Sequence, residues 1–234
     1  MNDQNRLEEL RAGLERTRAE IQRFADETGR EAPELLPVTK FHPAEDIALL
    51  GQLGITDVAE NREQEARAKA EALPHMHFHM IGQIQTKKAN HVARWAHSVH
   101  SLDSEKLARA LDRGVGLAHE RGQRDDTLPV FIQVSADGDT ARGGCPLEQV
   151  SDLVDVVEEI DNLELQGFMV VPPLESEPVE VFTRVKELVE ETSKQLGRPL
   201  KLSAGMSADL QAAIESGTHI VRVGTGIMGP RPVV

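Results

Sequence analysis

A chain of 234 residues fits the usual ~50–250 residues of one domain, and 39% hydrophobic residues with 18 glycines describe an ordinary globular protein rather than a disordered or fibrous one. The formal charge of −13, from 26 Lys and Arg against 39 Asp and Glu, excludes capture of nucleic acid or anionic lipid by a bulk positive field, so an anionic ligand must be caught locally. The single cysteine, Cys145, cannot form an intrachain disulfide, MNDQNRLEEL lacks the apolar core of a secretory signal, and no stretch approaches the ~18 apolar residues of a spanning helix; the chain reads as cytoplasmic, with no membrane partner.

In chain order, Leu7, Leu10, Leu14, Ile21 and Phe24 recur at helical spacing until Gly29, which predicts an amphipathic N-terminal helix. Eight short apolar runs follow, at 35–39, 56–59, 77–81, 97–100, 130–134, 163–170, 200–203 and 219–223. Between them lie helical patterns at 43–52, 61–73, 104–119, 147–160, 178–195 and 208–215, with a shorter one at 86–95. Strand alternating with helix implies right-handed crossovers and a parallel sheet, either open and doubly wound or closed. Eight repeats favour an α/β (β/α)8 TIM barrel with an extra N-terminal helix, a single domain over 1–234, and the turn at 127–129 is the only candidate internal boundary. Pro37 lies inside the first strand, where a closed barrel has no free edge, so a bulge or irregularity is expected there.

A barrel collects its chemistry at the C-terminal ends of its strands. Lys40 ends the first, Asn61 follows the second, Gly82 and Gln83 follow His79 after the third, and Ser101 and Asp103 follow the fourth. The seventh leads into Ser203-Ala204-Gly205-Met206-Ser207 and the eighth into Arg222-Val223-Gly224-Thr225-Gly226. Small residues and glycines there let backbone N–H groups approach a phosphate. Ser207, Gly224 and Thr225 read either as a phosphate cradle or as a helix cap with turn residues, and Arg222 either as a buried ion-pair partner or as a ligand contact. Lys40, at the inner end of a strand, is either a solvated lysine or a partly desolvated amine with a lowered pKa, able to attack an aldehyde. Phosphate cradle, imine-forming lysine and arginine together match pyridoxal 5′-phosphate. Class I aldolases share the barrel and the lysine but usually carry that lysine on a later strand.

The blocks Val38-Thr39-Lys40, Glu60-Asn61-Arg62 with Gln64-Glu65, His79-Met80-Ile81-Gly82-Gln83-Ile84-Gln85, Gly167-Phe168-Met169 with Pro172-Pro173, Gly205-Met206-Ser207-Ala208-Asp209 and Arg222-Val223-Gly224-Thr225 resemble, in order, the pyridoxal phosphate homeostasis proteins. Those are single-domain relatives of the alanine racemase N-terminal barrel. The resemblance implies that Lys40 carries the cofactor as a Schiff base, that Ser207, Gly224 and Thr225 hold its phosphate, that Arg222 lies near the ring nitrogen, and that Asn61 and His79 line the pocket. Departures from the family pattern are Val58-Ala59 in place of Phe-Gly, Met80 in place of Phe, Lys87-Lys88 in place of Asn-Lys, and Arg142 where the loop after the fifth strand commonly has lysine.

The expected function is storage and delivery of pyridoxal phosphate (vitamin B6 homeostasis), with apo-enzymes that use the cofactor as partners, no nucleic acid, a monomeric state and no demanding catalysis. The alternatives are an amino-acid racemase of the alanine racemase barrel type and a cofactor-free phosphosugar barrel. Barrel racemases commonly use lysine on one substrate face and tyrosine on the other; this sequence has no tyrosine, and its length leaves no room for the second β domain of those enzymes. An arginine beside the pyridine nitrogen also weakens the ring as an electron sink. His75, His77 and His79 alternate as zinc ligands can, but no cysteine or carboxylate is evident beside them in sequence, so no metal is expected. Lys87 and Lys88 read as solvated charge, Cys145 as an unactivated thiol, and 229–232 as a tail.

Overall fold

The computed structural model describes residues 3–231; Pro232 of the expected tail lies outside them. Eight parallel strands, β1 (Glu34–Pro37), β2 (Asp57–Glu60), β3 (His77–Met80), β4 (Ser98–Leu102), β5 (Leu128–Ser135), β6 (Leu163–Val170), β7 (Lys201–Ser203) and β8 (Ile220–Val223), follow the spatial order β1-β8-β7-β6-β5-β4-β3-β2. A bridge between Val38 and Ala59, with the Thr39 N–H donating to the Ala59 carbonyl at 3.0 Å, joins the two ends and closes a (β/α)8 barrel. The turn at 127–129 runs directly into β5 of this sheet.

Pro37 explains how thin that closure is. The N–H groups of Glu34 and Val38 point toward β8, donating to the His219 and Val223 carbonyls at 2.9 Å each. Strand alternation then turns the Pro37 nitrogen toward β2, where its missing donor coincides with the single-bridge seam. On the other side, Glu34–Pro37 keeps regular register with Ile220–Val223, so the expected irregularity is a reduced seam and not a bulge.

The helices are α1 (Asp3–Thr28), α2 (Ala44–Gln52), α3 (Glu63–Ala72), α4 (Ala89–Trp95), α5 (Glu105–Glu120), α6 (Val150–Glu158), α7 (Pro178–Leu196), α8 (Leu210–Glu215) and the short α9 (Thr225–Met228). Two predicted helices, 86–95 and 147–160, open with 3-10 turns, at Thr86–Lys88 and Leu147–Gln149. No helix among the described residues is long and apolar enough to cross a membrane. Alternation along each strand sorts the core into two shells. Val130, Ile132 and Val134 of β5 face outward onto α5 and α6, whereas Phe131 joins Leu36, Val38, Ala59, Met169 and Ile220 inside the barrel. Each fully buried side chain of this kind contributes about 1.5–3 kcal/mol. The extra helix α1 covers β8 and α9 through Leu10, Leu14 and Ile227. At Gly13 a Cβ would stand 2.5 Å from the Ile227 carbonyl oxygen, so glycine lets α1 lie directly on α9.

Candidate functional site

The C-terminal ends of the strands surround a cavity of about 600 Å³ whose floor includes Val38, Ile81, Gln133, Met169 and Arg222. Lys40, Asn61, Ser207, Gly224 and Thr225 line it above that floor. Six of the seven residues singled out in the sequence therefore meet in one place.

Lys40 stands in the turn after β1, and the chain on both sides of it is anchored. The Thr39 carbonyl accepts from Lys69 Nζ at 3.1 Å, and the Phe41 N–H donates to Glu65 Oε1 at 2.8 Å. Lys69 Nζ also donates to Glu60 Oε1 and Glu65 Oε1, both at 2.7 Å, and the Thr39 hydroxyl donates to Glu60 Oε1 at 2.6 Å. Glu60 is fully buried, and burial lifts its carboxyl above the ordinary range against the opposing pull of Lys69. Phe41 adopts φ +70°, a left-handed conformation that costs a non-glycine residue on the order of 1–3 kcal/mol. The guanidinium groups of Arg62 and Arg231 lie 5.1 and 4.5 Å from its ring centre. Within this turn the Lys40 ammonium is held below the ordinary 10.5, first by burial and then by the charge of Arg231, with Glu60 opposing.

Across the cavity, Ser207 corrects one expectation. It does not cap the helix after β7: α8 begins at Leu210, and the Asp209 carboxylate takes the Met206 N–H at 2.6 Å. Ser207 is thus left in the exposed turn before α8, its hydroxyl without a partner among the described residues. Thr225 and Gly226 open α9, so their N–H groups have no acceptor within the helix.

Arg222 enters the barrel from β8 and is buried; burial pushes it down to about 10, against Asp209. Its Nη1 donates to Ser203 Oγ at 2.8 Å and Nη2 to the Val170 carbonyl at 3.1 Å. Ser203 Oγ in turn pairs with His100 Nδ1 at 2.9 Å, and complete burial holds His100 well below its usual range, hence neutral. Lys40, Arg222 and Arg231 form no ion pair with a carboxylate among the described residues, whereas Arg142, also at the cavity, is bound to Asp137 at 2.7 Å. The lining carries Lys40, Arg142, Arg222 and Arg231 against Asp137 and Asp139, so on a chain of charge −13 this mouth holds a local excess of cations.

Asn61 is placed by backbone contact. A Cβ at Gly82 would lie 2.0 Å from the Asn61 carbonyl oxygen, so only glycine allows the loops after β2 and β3 to touch. His79 is the one predicted pocket residue the structure sets apart. Along β3 the next inward residue is Ile81, which already lines the cavity, so His79 falls a layer lower and bonds Asp57 and Ser98 instead.

Burial pushes the Cys145 thiol up to about 11, which leaves it unreactive. Two residues at the site were not singled out in the sequence: Lys69, whose i, i+4 spacing from Glu65 is also that of ordinary helix-surface charge, and Arg231, which the expected tail brings back to the cavity.

The family described as "Alanine racemase, N-terminal domain" matches residues 13–232. A pyridoxal phosphate homeostasis protein of Corynebacterium glutamicum is 58% identical over 200 residues, 85% of this chain and 90% of that one. The structure of PipY from Synechococcus elongatus with PLP bound superposes with a TM-score of 0.75 at 30% identity, covering 84% of this chain and 92% of PipY. An alanine racemase of Clostridium difficile shares the fold alone, with a TM-score of 0.72 at 14% identity over 97% of this chain and 58% of the racemase. Barrel, strand-end lysine and these relatives agree, and the chain belongs to the pyridoxal phosphate homeostasis proteins, within the alanine racemase N-terminal domain family.

Proposed function

We propose that the chain binds pyridoxal 5′-phosphate in the upper cavity and serves to store it and release it to apo-enzymes that depend on it. The observation that carries this reading is the pairing of a partly desolvated lysine with unpaired cations at one end of an acidic barrel. The residues fit the group. Lys40 offers an amine whose lowered pKa enlarges its nucleophilic fraction. Ser207, Gly224 and Thr225 bring a free hydroxyl and N–H groups at the start of α9 to the place of the phosphate. Arg222 is a buried donor for the ring nitrogen, and Asn61 lines the side wall. Bound there, the cofactor supplies an electrophilic aldehyde carbon and a conjugated ring.

Arg222 also argues for holding over catalysis. A guanidinium still protonated at neutral pH disfavours a second proton on a ring nitrogen beside it, and the ring is then a weak acceptor of carbanion charge. The chain has no tyrosine to serve as the second acid of a barrel racemase.

Borohydride reduction of the cofactor-loaded protein tests the assignment. A mass increase equal to one reduced pyridoxyl phosphate, mapped to Lys40 and absent in Lys40→Ala, is expected; no adduct in the presence of excess cofactor overturns it. A panel of free amino acids should show no racemisation at ordinary enzyme rates.

A further inference from the structure

The opposite mouth of the barrel holds a second cluster that cofactor binding does not use. A cavity of about 230 Å³ opens among the N-terminal ends of the strands and is lined by Asp57, His79, His97, Ser98 and His100. One ligand atom each from Asp57, His79 and His97 lies within 4.8 Å of the other two. His79 Nε2 meets Asp57 Oδ1 at 2.7 Å, and His77 Nδ1 reaches the same oxygen at 3.3 Å. The rings of His77 and His97 stack with centres 4.1 Å apart, and His97 meets His79 edge to face at 5.1 Å.

We propose that this mouth binds one divalent transition-metal ion of the zinc class, with Asp57, His79 and His97 as ligands and His77 within reach as a fourth. Imidazole nitrogen and carboxylate oxygen are the donor set that such borderline ions prefer over magnesium or calcium. Tetrahedral zinc with bonds of about 2.0–2.2 Å sets its ligand atoms roughly 3.4 Å apart. The Asp57–His79 contact must open slightly and His97 must draw in; His97 is exposed and free to do so. The far side of His79 is already braced, because its Nδ1 pairs with Ser98 Oγ at 2.6 Å. The Ser98 hydroxyl can donate or accept, so when a metal displaces the Nε2 proton now facing Asp57, it can take the hydrogen bond from Nδ1–H, the role outer-shell partners play for metal-ligating histidines. The ligands come from the first residue of β2, from β3, and from the residue preceding β4, so the ion clamps three adjacent strands where the barrel is otherwise open to solvent.

The test uses tag-free protein freed of metal by chelator and dialysis, titrated with Zn2+ against a chromophoric chelator and with Co2+ as a spectroscopic probe. One Zn2+ per chain, a tetrahedral Co2+ spectrum and a raised Tm are expected. His97→Ala and Asp57→Asn should each weaken binding at least tenfold and abolish the Tm rise, while borohydride trapping at Lys40 stays unchanged. His97 is exposed, so His97→Ala keeps the test clear of misfolding. The proposal is overturned by the absence of saturable binding at one ion per chain, by affinity unchanged in both variants, or by binding lost only in His75→Ala.

Discussion

The two mouths of the barrel are built from the same strands and handle charge in opposite ways. At the upper mouth Lys40, Arg222 and Arg231 face a cavity without a carboxylate partner, and the chain around Lys40 is held in a costly turn. At the lower mouth Asp57 is matched by His79 and His77, and the one lysine present, Lys201, stands 3.9 Å from Glu34. An unpaired cation taken out of water, as Arg222 is here, destabilises a fold unless something else is gained. The difference supports the proposed placement of an anionic ligand at the upper mouth on grounds independent of any relative.

The largest expected effect separates the two ends outright. Lys40→Ala should remove the borohydride-trapped adduct entirely, whereas His97→Ala at the other mouth should leave cofactor affinity within about twofold, as for distant sites without shared partners. Loss of loading in His97→Ala, read by titration of apo-protein with pyridoxal phosphate, would break the division of labour.

The next effect probes what keeps the upper turn in place. Lys69→Met leaves the fully buried Glu60 without its cation, and breaking a buried pair in this way costs about 3–5 kcal/mol. Urea unfolding measures it. Burial already raises the Glu60 carboxyl, so in the variant the folded state binds a proton that the unfolded state releases above the ordinary 4.5. Stability lost by Lys69→Met should therefore be smaller near pH 5 than at pH 8. Glu60→Gln in the same chain should restore part of it.

How much of this was legible beforehand depends on range. Strand alternation and the residue types at strand ends placed Lys40, Asn61, Ser207, Arg222, Gly224 and Thr225 around one mouth, because position on a strand fixes which end and which face a residue occupies. The same rule, counted one layer further, puts His79 below Ile81, whereas the family resemblance implies a place in the pocket. Lys69 and Glu60 needed the third dimension, since the ion pair joins β2 to α3 beneath the Lys40 turn. The histidine–aspartate cluster was hidden for a similar reason: Asp57 and His79 are 22 residues apart and meet only across the β2–β3 register.

A smaller effect grades the phosphate side. Ser207→Ala removes a free, exposed hydroxyl, so stability should change by less than about 0.5 kcal/mol. A hydrogen bond to a charged group contributes about 1.5–3 kcal/mol, so cofactor dissociation should rise roughly 10- to 150-fold. Thr225→Ala, which keeps its backbone N–H, should change affinity by less than about threefold. Reversal of that order would move the phosphate away from the turn before α8.

The smallest effect is a shift in pH dependence at Lys40. Its folded-state pKa lies below the unfolded 10.5, so the folded chain binds fewer protons across that interval and its stability rises with pH there. The same shift sets reactivity, because only the neutral amine attacks an aldehyde: the rate of adduct formation should climb with pH to a plateau whose midpoint falls below 10.5. Arg231→Ala deletes a cation that helps to depress this value, the second cause after burial, so the midpoint should move upward without reaching 10.5. Single-turnover trapping rates across pH, compared with Arg231→Lys, which keeps the charge, separate this effect from lost packing on Phe41. A midpoint unmoved in Arg231→Ala would leave burial alone as the source of the lysine's reactivity, and the contrast between the mouths would then rest on desolvation more than on crowded positive charge.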